Sequence, residues 1–427
     1  MKKVFLNSIL VINLCLILYF WSTNSNYLIT GNDPGGFLIA LGRLAGLLTE
    51  LLIITQLFLI SRFSFIEKEY GFDKLVGIHK KVGMFIGVFI ISHPLLLTIG
   101  YAKINNVSFI KQFINFQTNW EEVFSATIAA IIIILIAIIS IKKIRNKIPY
   151  EVWYLSHLPI YFAIAIAFEH QIQTGDMSQG GAMFYWYLIN LLTISILISY
   201  RFIKPLYLFL NHQFVVEKII KENHNVYSIY LTGRNMKKYK FQSGQYATLI
   251  FMQKNMWFHH PFSFSDTKNG RNLRFSIKSS GDFTSKIEKI NVGTRVWMDG
   301  PLGTFTLDKS VKKKFLFIAG GIGITPILSI LKSIPNNKDS ILMYSNKTQS
   351  DIIFHEEINR NVLKTYYFNT NETGERINIG KIKEICPDYK DRDIYICGPV
   401  QMKDSIVKEL RSNNLTAKQI HFEKFDY

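Results

Sequence analysis

Two hydrophobic patterns divide the chain near residue 210. Before it, apolar residues run almost unbroken over 5–21, 36–61, 81–101, 123–141, 152–168 and 183–203. Each stretch approaches the roughly 20 residues that carry a helix across a bilayer, so six membrane spans are predicted. After it, the apolar runs are short and alternating, as in Phe214-Val215-Val216 and Tyr227-Ser228-Ile229-Tyr230-Leu231, and Gly, Asn and Lys bound them. That period predicts antiparallel strands. From about residue 311 the pattern changes again. A buried strand at 314–319 runs into a glycine-rich turn and an apolar helix at 327–331, and further strands are predicted at 340–344 and 393–396. Strands alternating with helices in this way predict a doubly wound parallel sheet, with ligands at the C-terminal ends of its strands.

Charge sharpens this division. Residues 1–210 hold 16 Lys+Arg and 10 Asp+Glu, while the other 54 charged residues of the 427-residue chain fall in 211–427. The first part is therefore a membrane domain and the second a soluble one. If the N-terminus is cytoplasmic, the inner segments hold 13 basic residues (Lys2, Lys3, Arg62, Lys68, Lys74, Lys80, Lys81, Lys142, Lys143, Arg145, Lys147, Arg201, Lys204). The outer segments hold only Lys103 and Lys111. This positive-inside bias orients the domain and returns the chain to the cytoplasm after the sixth span. The net charge of +18 is thus largely a topology signal and a soluble surface, which argues against a nucleic-acid partner. The first span follows Met-Lys-Lys without a small-x-small cleavage site and is expected to stay uncleaved. Cys15, Cys386 and Cys397 lack CxxC spacing, so they encode neither a disulfide framework nor a zinc site.

Four of the ten histidines fall in the first part, at His79, His93, His157 and His170, all on the third and fifth spans. Both spans run from inside to outside, so His79 and His157 share the inner level while His93 and His170 share the outer one. Separations of 14 and 13 residues set the levels roughly 20 Å apart at 1.5 Å per residue. Two stacked haems held by axial imidazoles suit that arrangement, and iron would partner imidazoles that are costly to leave alone in lipid. In an ideal helix 14 residues return to within about 40° of the same face, but 13 leave the side chain about 140° away. Pro159 is placed to distort the fifth span and repair this. Arg43, inside the second span, reads either as a partner for an outer haem propionate or as a side chain snorkelling outward. Glu50 has no assigned role.

In the soluble part, His260-Pro261-Phe262-Ser263 follows the strand region after Gly244-Gln245-Tyr246. Lys278 ends a strand, and Ser279-Ser280-Gly281-Asp282-Phe283-Thr284 reads as a turn entering a helix, where backbone N–H groups and hydroxyls would cradle a pyrophosphate. Further on, Gly320-Gly321-Ile322-Gly323-Ile324-Thr325-Pro326 forms a strand-to-helix turn that departs from GxGxxG spacing, and Cys397-Gly398-Pro399 closes the last strand. Each piece alone is equally a plain turn. Lys347 is either a contact for a nucleotide 2′-phosphate or a solvated surface lysine.

Taken in order over about residues 36–427, these pieces resemble the ferredoxin-NADP reductase superfamily fused behind a ferric-reductase-like transmembrane domain, as in NADPH oxidases and ferric reductases. The resemblance implies a six-helix transmembrane bundle at 1–210, an antiparallel β-barrel FAD domain at 211–310 and an α/β NAD(P)H domain at 311–427. His79 and His157 then look like the ligands of an inner b-type haem, and His93 and His170 like those of an outer one. His260 to Ser263 look like the segment along the flavin, with the stretch from Lys278 to Thr284 at its pyrophosphate. Gly320, Gly321, Gly323, Thr325 and Pro326, with Cys397, Gly398 and Pro399, look like the nicotinamide-nucleotide motifs. Phe425 or Tyr427 takes the place of a C-terminal aromatic that stacks on the flavin. Many animal oxidases carry a further histidine one turn beyond the outer ligand of the third span, where this chain has Leu97. No calcium-binding loop precedes the first span, so the enzyme is expected to run without that switch.

The implied function is transfer of electrons from cytosolic NADPH or NADH, through FAD and two haems, to an acceptor outside the cell membrane. Oxygen, giving superoxide, is expected first, with a ferric chelate or an extracytoplasmic partner protein as alternatives.

Overall fold

A computed structural model of the chain describes residues 2–334, 339–362 and 364–423, which cluster into two compact units, 1–201 and 202–427. In the first unit six helical segments are long and apolar enough to cross a membrane. The second begins with a cap: the Asp33 side chain accepts from the Gly35 N–H at 2.8 Å, and Pro34 fills the first helical position, where no N–H is needed. It runs over Pro34–Ile60 beside the third, Phe72–Ile104.

Small residues set that contact. A Cβ added at Gly35 would lie 2.9 Å from the Gly100 carbonyl oxygen, one at Gly100 would lie 2.8 Å from that of Gly35, and one at Gly42 would lie 2.9 Å from the Leu97 side chain. The two backbones therefore approach as closely as small residues allow, which in lipid takes the place of a hydrophobic drive between helices. The fifth predicted span is two helices, Tyr150–His157 and Pro159–Gln173. Pro159 has no N–H to continue the ladder, and short i→i+3 bonds flank the break: Leu158 N–H to the Leu155 oxygen and Tyr161 N–H to the Leu158 oxygen. The sixth span, Gly180–Ile198, continues through a π turn at Ser199–Ile203. Between the third and fourth spans, Ser108 caps the amphipathic helix Phe109–Asn119.

The second unit opens with the helix Lys204–His212 and then six strands: β1 (Val215–Lys221), β2 (Val226–Thr232), β3 (Tyr246–Phe251), β4 (His260–Ser263), β5 (Leu273–Lys278) and β6 (Val296–Leu302). They form two antiparallel three-stranded sheets, β1-β2-β5 and β4-β3-β6. The sheets meet edge to edge at two isolated bridges, Val215 with Arg295 and Phe264 with Phe275, around a core that includes Phe214, Ile229, Phe251, Phe264 and Phe275.

The chain then winds through β7 (Lys314–Gly320), α1 (Ile324–Ser333), β8 (Ser340–Asn346), α2 (His355–Asn361), β9 (Lys364–Asn369), α3 (Ile379–Ile385), β10 (Arg392–Cys397), α4 (Val400–Ser412) and β11 (Ile420–Glu423). The five strands are parallel in the order β11-β10-β7-β8-β9. Their order reverses at β7, so the loops leaving β7 and β10 lie at the switch point where such sheets bind ligands. β10 is buried at every position and β7 at all but its first, as expected of strands covered on both faces.

Candidate functional site

In the membrane unit the four histidines meet as two pairs. The rings of His79 and His157 have centroids 6.5 Å apart, and those of His93 and His170 are 6.0 Å apart. Two metal–nitrogen bonds of about 2 Å in line, plus roughly 1.1 Å from each nitrogen to its ring centre, give about 6 Å, so each pair fits one metal between two imidazoles. No group of three or more His, Cys, Asp or Glu residues is placed to hold a metal ion among the described residues. A centre using these pairs would therefore draw its other ligands from a non-protein ring, as haem iron does.

The outer pair is also oriented. His93 Nδ1 lies 2.7 Å from the Gly42 carbonyl oxygen, which can only accept, so Nδ1 carries the proton and Nε2 keeps its lone pair. Gly46 makes room for the ring, since a Cβ there would lie 2.7 Å from two of its atoms. His170 Nδ1 lies 3.4 Å from the Thr174 hydroxyl, whose proton goes to the His170 carbonyl. In the other pair, Nδ1 of His157 is buried without a hydrogen-bond partner among the described residues, and Trp153 packs on the His157 ring at 5.3 Å. The break at Pro159 lies between His157 and His170, and with it both meet the third span in spite of their 13-residue spacing.

Arg43 has a partner that the sequence reading did not name. Its Nη1 donates to Asp176 Oδ1 at 3.1 Å, the carboxylate takes a second bond from Ser25 Oγ at 2.8 Å, and the Asn24 amide donates to the Asp176 carbonyl oxygen at 2.6 Å. The guanidinium thus has a carboxylate partner within the chain. Asp176 was legible as one of two acidic residues, with Glu169, between the fifth and sixth predicted spans, and Gly42 and Gly46 as a small-xxx-small pair. Glu50 is buried, accepting from the Gln171 amide at 2.9 Å, and Gln171 in turn accepts from the Trp186 indole at 3.0 Å. Its partners lie more than a hundred residues away, which no local pattern announces.

In the soluble unit, His260 to Ser263 form β4, paired with β3. The His260 ring stacks on Phe283 at 3.8 Å, so Phe283, which is itself buried, backs this strand from within. Ser263 Oγ is buried and lacks a hydrogen-bond partner among the described residues, a donor that a flavin heteroatom would satisfy. Lys278 ends β5, and Ser279, Gly281, Asp282 and Thr284 follow it. That turn enters a six-residue 3₁₀ helix, Thr284–Lys289. The Thr284 hydroxyl accepts from the Ser280 and Gly281 N–H groups at 2.9 Å each, so two of the donors expected to face a pyrophosphate are already engaged.

The glycine turns divide by role. A Cβ at Gly323 would lie 2.2 Å from the Cys397 carbonyl oxygen, one at Gly398 would lie 2.9 Å from Gly320 Cα, and one at Gly320 would lie 2.8 Å from Pro399 Cδ. These three glycines let the turns leaving β7 and β10 touch. Gly321 differs: it has φ +53° and nothing within 4 Å of an added Cβ, so it leaves open space for a ligand at the start of α1. Thr325 and Pro326 are buried in α1, with the Thr325 hydroxyl turned back on the Ile322 carbonyl at 3.0 Å. Lys347 is exposed and directly follows β8, while Phe425 and Tyr427 lie outside the described residues. Cys386 and Cys397 are buried, and burial pushes the Cys386 thiol up to about 12, so it is no thiolate.

Comparison with known proteins places these sites in a class. Residues 45–168 match the ferric reductase like transmembrane component, residues 212–306 an FAD-binding domain and residues 317–408 the oxidoreductase NAD-binding domain. A stretch similar to the ferric-reductase-like membrane component is thus followed, in one chain, by stretches similar to FAD- and NAD-binding domains of oxidoreductases. Among curated proteins it is similar to the reductase component of propane 2-monooxygenase from Rhodococcus jostii (26% identity over 49% of this chain and 62% of that protein). It is also similar to the flavohemoprotein of Oceanobacillus iheyensis (27% identity over 50% of this chain and 58% of that one). It thus spans less than two thirds of the length of either. Among solved structures, the FAD/NAD-binding domain of a nitric oxide dioxygenase from Vibrio cholerae aligns with half of this chain and 98% of its own, at 20% identity and a TM-score of 0.43.

Proposed function

We propose that this protein carries electrons from cytosolic NAD(P)H through FAD and two b-type haems to an acceptor on the far side of the cell membrane. The observation that carries this reading is the pair of facing histidine pairs, each spaced for one metal, in a chain that also has FAD- and NAD-binding domains. When bound, the flavin takes two electrons as a hydride and releases them singly, and the haems pass them on one at a time. The chain's own residues hold and orient. His79 and His157 would hold the inner iron, and His93 and His170 the outer. The Gly42 carbonyl fixes the tautomer of His93, and β4 would hold the flavin, with Ser263 as a hydrogen-bond donor. Gly321 leaves space for the nucleotide diphosphate at the start of α1, and Lys347, exposed after β8, would meet a 2′-phosphate, which favours NADPH over NADH. No side chain needs to act as an acid or base.

In this reading the dehydrogenase unit and N-terminus are cytoplasmic, on the strength of the basic residues between spans. Moving one electron fully outward across an inside-negative membrane is then favoured by about 2.3 kcal/mol per 100 mV. Oxygen is the proposed acceptor, with superoxide the product. A second reading, reduction of a ferric chelate, is favoured by Leu97, which packs against Gly42 where many oxidases carry a histidine. An extracytoplasmic protein acceptor is favoured by the helix Phe109–Asn119, which leaves Phe109, Ile110, Phe113 and Ile114 exposed.

The test is NADPH-driven cytochrome c reduction by the purified, FAD-supplemented protein in detergent, with and without superoxide dismutase and oxygen. A signal lost under dismutase and under anaerobiosis supports oxygen; one that persists under both moves direct delivery to iron or to a partner ahead. His93→Leu is expected to remove one haem from the absorption spectrum and abolish external reduction, with NADPH-to-flavin transfer kept. Undiminished external reduction in that variant would refute the route.

A further inference from the structure

A cluster of four charged side chains joins the flavin-binding strands to the nicotinamide-binding sheet. Arg274, on β5, is 3% exposed and makes a two-pronged pair with Glu357 of α2, at 2.7 Å from Nη1 to Oε1 and 3.0 Å from Nη2 to Oε2. Lys332, in the last turn of α1, contacts both acids: its Nζ lies 2.5 Å from Asp266 Oδ1 and 3.0 Å from Glu357 Oε2. Asp266, three residues beyond β4, is held again by α1 through its carbonyl oxygen, which accepts from Ser329 Oγ at 2.9 Å. Two cations therefore meet two carboxylates, and the pairs Arg274–Glu357 and Lys332–Asp266 both cross from the barrel to the parallel sheet.

Further contacts surround this junction. Arg274 Nη2 also donates to the Ser265 carbonyl at 2.7 Å, and the guanidinium lies 4.6 Å from the centre of the Phe354 ring. Phe354 has φ +61°, a left-handed conformation that a bulky side chain adopts only when its neighbours impose it. Both nucleotide motifs are tied into the same cluster: β4 leads into Asp266, and the helix that starts beside Gly321 ends at Lys332 and Ser329.

We propose that Asp266, Lys332, Arg274 and Glu357 are positioning residues that fix the nicotinamide site against the flavin site for hydride transfer. The inference rests on the reading above that NAD(P)H reduces the flavin. In that step the C–H bond of the nicotinamide breaks, and the hydride, a proton with both electrons, goes to the flavin, oxidising one and reducing the other. The rate depends steeply on approach, since a misplacement of about 1 Å can lower it on the order of a hundredfold. The cluster touches neither reacting ring; it sets the distance between the elements that hold them.

The test uses the full-length, FAD-loaded protein, mixed anaerobically with NADPH while flavin bleaching is followed, together with hydrogen exchange at the amides of α1. Asp266→Asn and Lys332→Met are expected to slow the limiting rate of bleaching by about tenfold or more, raise the half-saturating NADPH concentration less, and speed exchange in α1. The exchanged pair, Asp266→Lys with Lys332→Asp, is expected to recover most of the rate. If the Asn variant fails to fold, Glu357→Gln, which keeps the shape and removes the charge, serves in its place. Wild-type rates and exchange in the single variants, or an exchanged pair as slow as they are, would overturn the proposal. If NADPH fails to bleach the wild-type flavin at all, the hydride reading falls. The exchange data then judge the junction on their own: unchanged protection of α1 in the variants overturns it, and loss of protection supports it.

Discussion

His93 shows how little of a site need be carried by the functional residue itself. Its imidazole is oriented by the Gly42 carbonyl and given room by Gly46, neither of which has a side chain. Replacing Gly46 by Ala would place a Cβ 2.7 Å from the ring, and overpacking of this kind costs about 1–3 kcal/mol when the neighbour cannot retreat. If the two histidine pairs hold haems as proposed, the Gly46→Ala protein is expected to lose or shift the alpha band of the haem at His93 and His170 while the other stays, as read from its reduced spectrum. Which histidines pair was legible in the sequence because both pairs sit at matching depths. That the Gly42 carbonyl fixes one of them was not, because a carbonyl belongs to every residue and only the fold selects it. Arg43 gives the complementary lesson. Its need for a carboxylate was readable from charge in an apolar segment, but the choice of Asp176 depends on how the loop between the fifth and sixth spans folds back.

Among elements, the fifth span is the most informative. The alternation of apolar runs predicted a single helix there, and the structure divides it at Leu158. An unbroken helix would leave His157 and His170 about 140° apart, so only one could face the third span. Pro159→Ala, by restoring the missing N–H, is expected to favour the continuous helix and lower haem content from two towards one per chain, measured as haem against protein. Unchanged haem content would show that the flanking packing sets the break by itself. The turn after β5 is more self-contained than its sequence suggested. Its Ser-Ser-Gly-Asp composition suggested a helix with free N–H groups, but Thr284, four residues beyond the first of those donors, already bonds two of them. Short polar side chains compete with ligands for backbone donors, and composition alone does not reveal which one wins. The strands of both soluble folds were more legible, since their apolar periods persist over several residues and report burial directly.

Over the whole molecule, the order of domains was readable because each has its own hydrophobic period, whereas the charged junctions within the soluble unit were not, being assembled from side chains far apart in sequence. Those junctions make stability depend on pH. Burial opposes ionisation of Glu357, but Arg274 and Lys332 outweigh it and hold the carboxyl below its ordinary range. At Asp388 the leading cause is its hydrogen bond with Arg392, and the carboxyl is held down to about 2. A folded value below the unfolded one stabilises at pH above the unfolded value of about 4 and is lost as pH falls through the folded value. The soluble unit is thus expected to lose stability progressively from about pH 4 to about pH 2, with Arg392→Met flattening that dependence in thermal melts followed by flavin release.

The seam between the turns leaving β7 and β10 has a consequence of another kind, for descent. Gly320, Gly323 and Gly398 must be glycines where two main chains touch, whether or not a nucleotide also lies against them. Their persistence through a lineage would record the sheet, and a descendant that had abandoned its nicotinamide substrate would keep them. Gly321, with open space beside it, is under a different constraint, and it is the position at which such an abandonment would first be written.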